Sequence, residues 1–358
     1  MASITNFPIL DDVGSFPLPS YTSNQRFDKY YWDAFKAILK NYDIHKNQGL
    51  YTNVVHPIEH TFQLKVQTGM EVINYPQIVD MYSQFLTPMK EYEVKNEPHL
   101  IEPRFARLLE VDILQQWAKR NYEESGEQIR LKVCVTGPLE LYFKEIGFSV
   151  YTDMAMNFSK SVNRFLKNSI VDSKYMKTEI VAIDEPSLGY VSISGAEHDD
   201  LVKIYDKSVE GLNCDVQIHL HSLNSFKIPL ETKHINIMTC EFASNNQNVI
   251  DRKYLEDFDK FIRVGVCRTN FNAIMADALD AGMEYQEFNS LEGLRKLIDS
   301  PERIEKNLRI AHKQYGDRLK YVGPDCGLNA WAPVELATEL LSRTSQVVKK
   351  FRKEQINI

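Results

Sequence analysis

Two histidines, His219 and His221, lie two residues apart at the end of the apolar run Val-Gln-Ile. Side chains at positions i and i+2 of a β-strand point to the same face, so both imidazoles can reach one point. Paired imidazoles suit a borderline-soft divalent cation such as Zn²⁺. The alternative is that the two histidines are unrelated and that one of them makes a hydrogen bond in the core.

Two further metal donors follow later apolar runs. Glu241 comes directly after Ile-Asn-Ile-Met-Thr-Cys, and Cys326 lies in Val-Gly-Pro-Asp-Cys-Gly. Taken alone, they could be a capping carboxylate and a small buried thiol. Together with the two histidines they form a nitrogen, oxygen and sulfur set for tetrahedral zinc, or three ligands and an open position for a substrate thiol. Cys240 and Cys267 remain open as substitutes.

A pair of carboxylates, Asp184 and Glu185, ends another apolar run and is followed by Pro186. These carboxylates could hold a substrate ammonium group, or one of them could act as a general base. The alternative is a helix N-terminus, where proline is favoured in the first turn and acidic residues complement the helix dipole. The sequence leaves both interpretations open.

Eight short runs rich in β-branched residues alternate with segments of helical spacing, which predicts βαβ units and a mainly parallel sheet. Eight units, without a G-x-G-x-x-G or a P-loop motif, favour an α/β fold of the (β/α)₈ TIM-barrel type. We expect residues 1–358 to form one such barrel, with additional helices in the long connections 18–70 and 77–129. The runs are Val13–Pro17, Glu71–Pro76, Leu131–Gly137, Ile180–Leu188, Val216–Ser222, Ile235–Ala243, Ile262–Asn270 and Tyr321–Gly327.

Polar residues lie where these runs end. In a barrel the carboxyl ends of the strands meet at one mouth, where barrel enzymes carry their chemistry. The sequence therefore predicts a functional site at that mouth. The residues at the run ends are Ser15, Gln77, Thr136, Asp184, His221, Glu241, Asn270 and Cys326.

The composition limits the function classes. The chain has 358 residues, of which 43% are hydrophobic and 25% charged, and its formal net charge is −7. This composition excludes a disordered or collagen-like chain. The net charge also lacks the basic excess that is typical of a nucleic-acid-binding protein. There is no membrane-length apolar run and no secretory signal. Five scattered cysteines indicate a reducing compartment. We expect a cytoplasmic protein without a nucleic-acid or membrane partner.

Seven motifs, taken in order, resemble the catalytic C-terminal half of the cobalamin-independent methionine synthases, in the short, single-barrel form found in archaea. The resemblance implies a barrel in which zinc activates the thiol of homocysteine, and the thiolate then takes a methyl group by direct displacement. The motifs are VGSFP (13–17), GMEVINYPQ (69–77), VTGPLEL (135–141), IDEPSL (183–188), HLH (219–221), CEFAS (240–244) and PDCGL (324–328).

The resemblance also implies roles for individual residues. Ser15 matches the residue that contacts the carboxylate of homocysteine, and Asp184 matches one that binds its amine. Asp184 and Glu241 are accordingly expected to be catalytic, and Ser15, Gln77 and Asp184 to bind the substrate. The zinc ligands, for one ion per chain, fall on His219, His221, Glu241 and Cys326.

Two residues depart from the family pattern. The family has cysteine where this chain has His221, so the bound zinc set is formally neutral instead of −1. Such a zinc should hold a thiolate more tightly but leave it less nucleophilic. The family has glutamate at about the position of Gln77, so the ammonium pocket loses one charge.

The expected function is zinc-dependent methyl transfer to a thiol, with homocysteine giving methionine. Because only one barrel is expected, the methyl donor is left open between a methyl-pterin or folate and a methyl-corrinoid, free or on a partner protein. The loss of a charge at Gln77 leaves a different thiol as an alternative acceptor. A non-catalytic barrel that acts as a binding or partner subunit is the alternative of another class.

Overall fold

The computed structural model describes residues 7–356. Its centre is one sheet of eight parallel strands in the order β1-β8-β7-β6-β5-β4-β3-β2. This confirms the predicted α/β class and the parallel sheet. The strands are β1 (Ile9–Leu10), β2 (Ile73–Asn74), β3 (Ile129–Thr136), β4 (Met176–Asp184), β5 (Asp215–His219), β6 (Ile237–Cys240), β7 (Phe261–Cys267) and β8 (Leu319–Pro324).

The first and last strands of this order, β1 and β2, lie side by side. Parallel bridges join Asp11 to Val72 and Ser15 to Gln77. The Val72 amide also donates to the carbonyl of Leu10 at 2.9 Å. The sheet therefore curls around an interior in the manner of a barrel.

Helices fill the connections and cover the outside of the sheet, and they include the additional helices predicted for residues 18–70 and 77–129. In the described part of the chain no helix is both long and apolar enough to cross a membrane. Short 3₁₀ turns occupy Ile44–Lys46, Pro103–Phe105, Tyr285–Asn289 and Gly316–Arg318, and Tyr51–Val55 form a π-helical turn. The α-helices are α1 (Asn24–Leu39), α2 (Gln48–Leu50), α3 (His56–Gln67), α4 (Ser83–Glu91), α5 (Leu109–Ser125), α6 (Pro138–Glu145), α7 (Thr152–Ser169), α8 (His198–Val209), α9 (Lys227–Glu231), α10 (Arg252–Asp257), α11 (Phe271–Asp280), α12 (Leu291–Arg295), α13 (Pro301–Tyr315) and α14 (Val334–Ile356).

Helix α13 illustrates how the local sequence sets the ends of these helices. The Ser300 side chain accepts a hydrogen bond from the Arg303 amide at 3.3 Å, and Pro301 occupies the first helical position. Serine caps the free amides of a first turn, and proline has no amide to satisfy there. Gly316 follows the helix with a φ of 53°, which ends it.

The pairing of β4 with its two neighbouring strands aligns the strand ends at the mouth of the barrel. Asp184, the last residue of β4, pairs with Thr136 of β3 on one side and with His219 of β5 on the other. Two of the polar strand ends predicted from the sequence, Thr136 and Asp184, therefore lie in one row with the predicted ligand His219. The apolar core lies mainly between the sheet and the surrounding helices.

The prediction of a first strand at Val13–Pro17 is wrong, because the structure places β1 at Ile9–Leu10 and lets 13–17 follow it as irregular backbone. Asp11 and Asp12 come directly after this strand and are fully buried. Because β1 has only two residues and runs directly into two aspartates, a search of the sequence for apolar runs does not detect it. Pro17, which has no amide hydrogen, also cannot donate a hydrogen bond to a ladder.

Asp11 lies at the centre of a charged layer inside the barrel. It accepts hydrogen bonds from Lys132 Nζ at 2.8 Å, Arg263 Nε at 2.6 Å and Gln217 Nε2 at 3.0 Å. The four residues come from β1, β3, β5 and β7 or directly follow them, the alternation typical of one layer of a barrel interior. Burial opposes ionisation of Asp11, but Arg263 and Lys132 outweigh it and lower the pKa of this carboxyl.

A second buried pair lies beside this layer. Asp12 Oδ2 is 2.5 Å from Lys65 Nζ, and Asp12 Oδ1 accepts from the Asn74 amide at 2.6 Å. Lys65 also donates to the Asn74 carbonyl at 2.8 Å. Together the two groups place three cationic side chains against two aspartates.

We predict that Arg263→Met lowers the free energy of unfolding by about 3–5 kcal/mol, because it leaves Asp11 buried with a single cation. Urea unfolding followed by circular dichroism measures this change. The control is Arg295→Met, which removes an exposed arginine 2.9 Å from Glu339 and should cost less than about 1 kcal/mol. Equal losses in the two variants would contradict a central role for the Asp11 layer.

Candidate metal centre

The four donors predicted from the sequence meet at the mouth of the barrel. His219 ends β5 and His221 follows two residues later, while Glu241 comes directly after β6 and Cys326 after β8. One donor atom from each residue can be chosen so that all four lie within 4.8 Å of one another. Three strand ends therefore supply a set of two nitrogens, one oxygen and one sulfur.

The distances within this set fit a shared zinc ion. Cys326 Sγ is 3.4 Å from His219 Nε2 and 3.5 Å from His221 Nε2, and His221 Nε2 is 3.4 Å from Glu241 Oε1. Zinc bonds of about 2.0–2.3 Å in a tetrahedron give ligand–ligand edges of about 3.3–3.6 Å. The His221–Glu241 distance is longer than an ordinary N–H···O hydrogen bond. These three distances suit ligands of one ion, and the other pairs of donor atoms lie within 4.8 Å.

His219 is oriented by a hydroxyl on the neighbouring strand. Its Nδ1 lies 3.0 Å from Thr239 Oγ1, which also accepts from the Leu220 amide at 3.2 Å. When Nδ1 carries the proton and donates to Thr239, Nε2 is free to bind a metal, which is the usual arrangement for ligating histidines. Burial, with His221 as the next cause, lowers the pKa of His219 well below its ordinary value and keeps the ring neutral.

The two acidic donors need a cation to stay ionised. Burial, followed by the nearby charge of Asp325, raises the pKa of Glu241 to about 7. Burial and then Glu241 raise the pKa of the Cys326 thiol. A divalent cation offsets both costs, and its binding displaces their protons. The donor set is thus chemically suited to Zn²⁺.

Asp325 connects the strand ends that carry Glu241 and Cys326. Its carboxylate accepts from the amides of Ala243 and Ser244 at 3.0 and 2.7 Å and from the Ser244 hydroxyl at 2.7 Å. The sequence analysis missed this residue, although its place next to a predicted ligand was a usable signal. A Cβ at Gly265 would lie 2.0 Å from Asp325 Oδ1, so only glycine leaves room there.

The two carboxylates that end β4 have different roles. Glu185 accepts from the amides of Leu139 and Glu140 at 2.9 Å, in the first turn of α6. The helix-terminus interpretation was therefore right about the kind of interaction for Glu185 but wrong about the helix. Turns, not a helix, follow Pro186, and the capped helix precedes β4 in the chain.

Asp184 instead lines the cavity beside the metal donors. It is 7% exposed, and within residues 7–356 its Oδ1 has no hydrogen-bond partner. Burial raises its pKa to about 7, although Lys132 and Arg263 act in the opposite direction. A buried oxygen without a partner is costly unless a ligand satisfies it.

The cavity measures about 400 Å³. It is also lined by the other two predicted substrate-binding residues, Ser15 and Gln77, and by three of the four metal donors. No lysine or arginine lines it among the described residues. The Ser15 side chain lies against Gly327, where a Cβ would be 2.0 Å from Ser15 Oγ. The structure thus brings the predicted substrate residues and the metal donors together.

Cys240 and Cys267, kept open as substitute ligands, lie outside the donor set. Cys240 is fully buried, with its Sγ 3.9 Å from the Arg263 carbonyl. Cys267 Sγ is 3.2 Å from the Thr344 hydroxyl. Both side chains belong to the packing around β6 and β7, so neither substitutes for Cys326.

Comparison with known proteins gives one sequence relative and several structural neighbours. No family model matches the chain. A methionine synthase from Sulfurisphaera tokodaii is 23% identical over 232 residues, which cover 63% of this chain and 58% of the relative. The match therefore spans less than two thirds of that protein's length.

Three solved structures share the fold. A B12-independent methionine synthase from a Shewanella species, in complex with selenomethionine, has a TM-score of 0.60 and 15% identity, covering 98% of this chain and 100% of its own. A protein described as a vitamin-B12-independent methionine synthase from Listeria monocytogenes has a TM-score of 0.56 at 12% identity, with coverages of 96% and 98%. A methyltransferase from Methanosarcina mazei has a TM-score of 0.54 at 11% identity, with coverages of 97% and 94%.

We predict that His221→Ala lowers zinc affinity by at least about tenfold, because it opens the ligand set. His221→Cys should retain one zinc per chain, since a thiolate also fits tetrahedral coordination. Elemental analysis and competition with a chromophoric chelator measure both effects. Cys267→Ala is the control and should leave zinc binding unchanged. Full zinc affinity in His221→Ala would show that this histidine is not a ligand.

Proposed function

We propose that this chain is a zinc-dependent methyltransferase that moves a methyl group to a thiol, with homocysteine as the acceptor and methionine as the product. The observation that carries the proposal is the spacing of His219, His221, Glu241 and Cys326, which suits one tetrahedral zinc. The relative named methionine synthase agrees with this proposal. The proposal also takes the curled sheet as a closed (β/α)₈ barrel formed by one domain over residues 1–358.

Zinc at this site would lower the pKa of a substrate thiol, so that the sulfur attacks as a thiolate near neutral pH. Thr239 fixes the orientation of His219 through the 3.0 Å contact to its Nδ1. Asp325 holds the segment after β6 against the end of β8 and so keeps Glu241 near Cys326. These contacts keep the donors in place while the substrate enters from the cavity.

The amino-acid part of the substrate would lie against the other wall of the cavity. The partnerless Oδ1 of Asp184 is the acceptor for the ammonium group, and an arriving cation favours the ionised carboxylate. The Ser15 hydroxyl is the donor for the substrate carboxylate. Gln77 adds a neutral acceptor beside Asp184, in place of a second negative charge.

The methyl donor is proposed to be a methyl-corrinoid, free or carried by a partner protein, or a methyl-pterin or folate. The described cavity lining contains no lysine or arginine. An anionic tail on a folate would therefore have to bind outside this cavity. The proposed setting is the cytoplasm, in agreement with five free cysteines.

A second candidate acceptor is a thiol other than homocysteine. Gln77 favours it, because one negative charge near the substrate ammonium is missing. A thiol without an amine or with a less basic amine would then be methylated faster than homocysteine.

The test of the proposed function is methyl transfer by zinc-loaded protein. Methylcobalamin and a methylated tetrahydropterin are offered as donors, each with homocysteine or 3-mercaptopropionate, and products are identified by mass spectrometry. We expect methionine, and no product from metal-free protein. A protein that binds no zinc and methylates no thiol would contradict the proposal and favour the non-catalytic barrel.

We predict that Asp184→Asn weakens the binding of L-methionine by about 2–5 kcal/mol, because the ammonium loses its charged partner. Isothermal calorimetry on the zinc-loaded protein measures the dissociation constant. Asp28→Asn, an exposed carboxylate on the rim of the same cavity, is the control and should change it little. An unchanged constant in Asp184→Asn would mean that the ammonium binds elsewhere.

A further inference from the structure

A chain of four buried polar side chains leads from the cavity wall into the protein. Gln77 Nε2 donates to Gln84 Oε1 at 3.0 Å, and Gln84 Nε2 donates to both oxygens of Glu110 at 3.1 and 3.2 Å. The Tyr31 hydroxyl donates to Glu110 Oε2 at 3.1 Å. Each of these residues is at most 5% exposed. They come from α1, the segment after β2, α4 and α5.

The direction of this chain follows from the one member that only accepts. An ionised carboxylate has no hydrogen to donate, so both Tyr31 and Gln84 must donate to Glu110. The Gln84 amide nitrogen is thereby used, and its oxygen must accept from Gln77. The Gln77 amide nitrogen is then used in turn. Its Oε1, 3.7 Å from Cys134 Sγ, is the amide atom not bound to Gln84, and the Gln77 side chain is part of the cavity lining.

Among residues 7–356, Glu110 has no ion-pair partner that would explain its place in the core. It is fully buried, and no lysine, arginine or histidine contributes to its pKa, which burial raises to about 7. A buried carboxylate without an ionic partner is costly. If Glu110 served only to hold the helices together, apolar packing could replace its contacts to Tyr31 and Gln84.

We propose that Glu110 is a positioning residue for the substrate site. It fixes Gln77, through Gln84, with the amide oxygen toward the cavity, where this oxygen accepts a hydrogen bond from the substrate ammonium. The inference rests on the proposed function, since it assigns Gln77 to the ammonium. Position 77 itself carries no negative charge, but the carboxylate of Glu110 is joined to it through two hydrogen bonds.

The first test uses Glu110→Gln in the zinc-loaded protein at pH 8, above the pKa of about 7 of Glu110. A glutamine at 110 can donate as well as accept, so the chain loses its fixed direction and Gln77 can turn its nitrogen to the cavity. We expect L-methionine to bind about tenfold more weakly, the size of one hydrogen bond to a charged group. Binding of 4-(methylthio)butanoate, which has the same skeleton without the amine, should stay unchanged.

The control for this test is Glu59→Gln. Glu59 is a buried carboxylate on α3, paired with Arg120 at 2.6 Å, and it does not line the cavity. It should leave the ratio of the two binding constants at the wild-type value. If Glu110→Gln weakens both ligands equally, or neither, Glu110 has only a structural role and the proposal is overturned.

The second test needs no ligand. In Gln77→Glu, carboxylates would lie at both ends of Gln84, which can donate its amide hydrogens to only one of them, so the melting temperature should fall. The double variant Gln77→Glu/Glu110→Gln reverses the whole chain: residue 110 donates to Gln84 and Gln84 donates to residue 77. We expect the melting temperature to recover most of the loss, and Gln77→Glu/Glu59→Gln to show no recovery.

The two tests separate this inference from the proposed function. If wild-type protein binds L-methionine and 4-(methylthio)butanoate equally, recognition of the ammonium fails, and with it the role given to Gln77. If the wild type prefers L-methionine but the double variant shows no recovery, the proposed function stands and the direction of the chain is wrong. Recovery, together with a selective loss in Glu110→Gln, supports the proposal.

Discussion

Arg263 and Lys132 both donate to Asp11 in the middle of the barrel, and the positions of the surrounding strands depend on this contact. With Gln217, the three residues form a layer drawn from alternate strands, where barrels usually place branched apolar side chains. An apolar layer would tolerate sliding of one strand past another. A layer of paired charges does not, because a displaced strand would leave a buried ion without its partner. The charged layer in the interior therefore fixes the register of the strand ends.

The charges of this layer also act on the mouth above it. Burial raises the pKa of Asp184, and Lys132 and Arg263 of this layer act against that effect. The same two cations also lower the pKa of His219, so that its ring stays neutral. The mouth is thereby divided. The ends of β5, β6 and β8 carry the candidate metal donors. The segments after β1 and β2, together with the last residue of β4, carry the proposed amino-acid wall.

The sequence alone predicted the parallel sheet, the helices in the long connections and the donors at the mouth, because each of these depends on a local pattern. Strand ends can be read from where an apolar run stops, and parallel strands bring their ends together. The first strand was misplaced, since Asp11 and Asp12 interrupt its apolar pattern. Their cationic partners are more than 50 residues away in the chain. The hydrogen-bond partners of Glu185 and Asp325 also could not be predicted, because they lie on elements whose proximity no local pattern gives.

The brace formed by Asp325 has a consequence for the order in which the protein is assembled during synthesis. Asp325 and Cys326 both follow β8. This strand is made after the other seven and lies between β7 and β1. The two imidazoles and Glu241, which lie at the ends of β5 and β6, leave the ribosome earlier. If the proposed set binds zinc, an ion that meets the nascent chain before β8 is made would find only three of the four donors. Full coordination of a zinc ion by the proposed set would therefore require β8 to be in place, so that metal retention would report the insertion of the last strand.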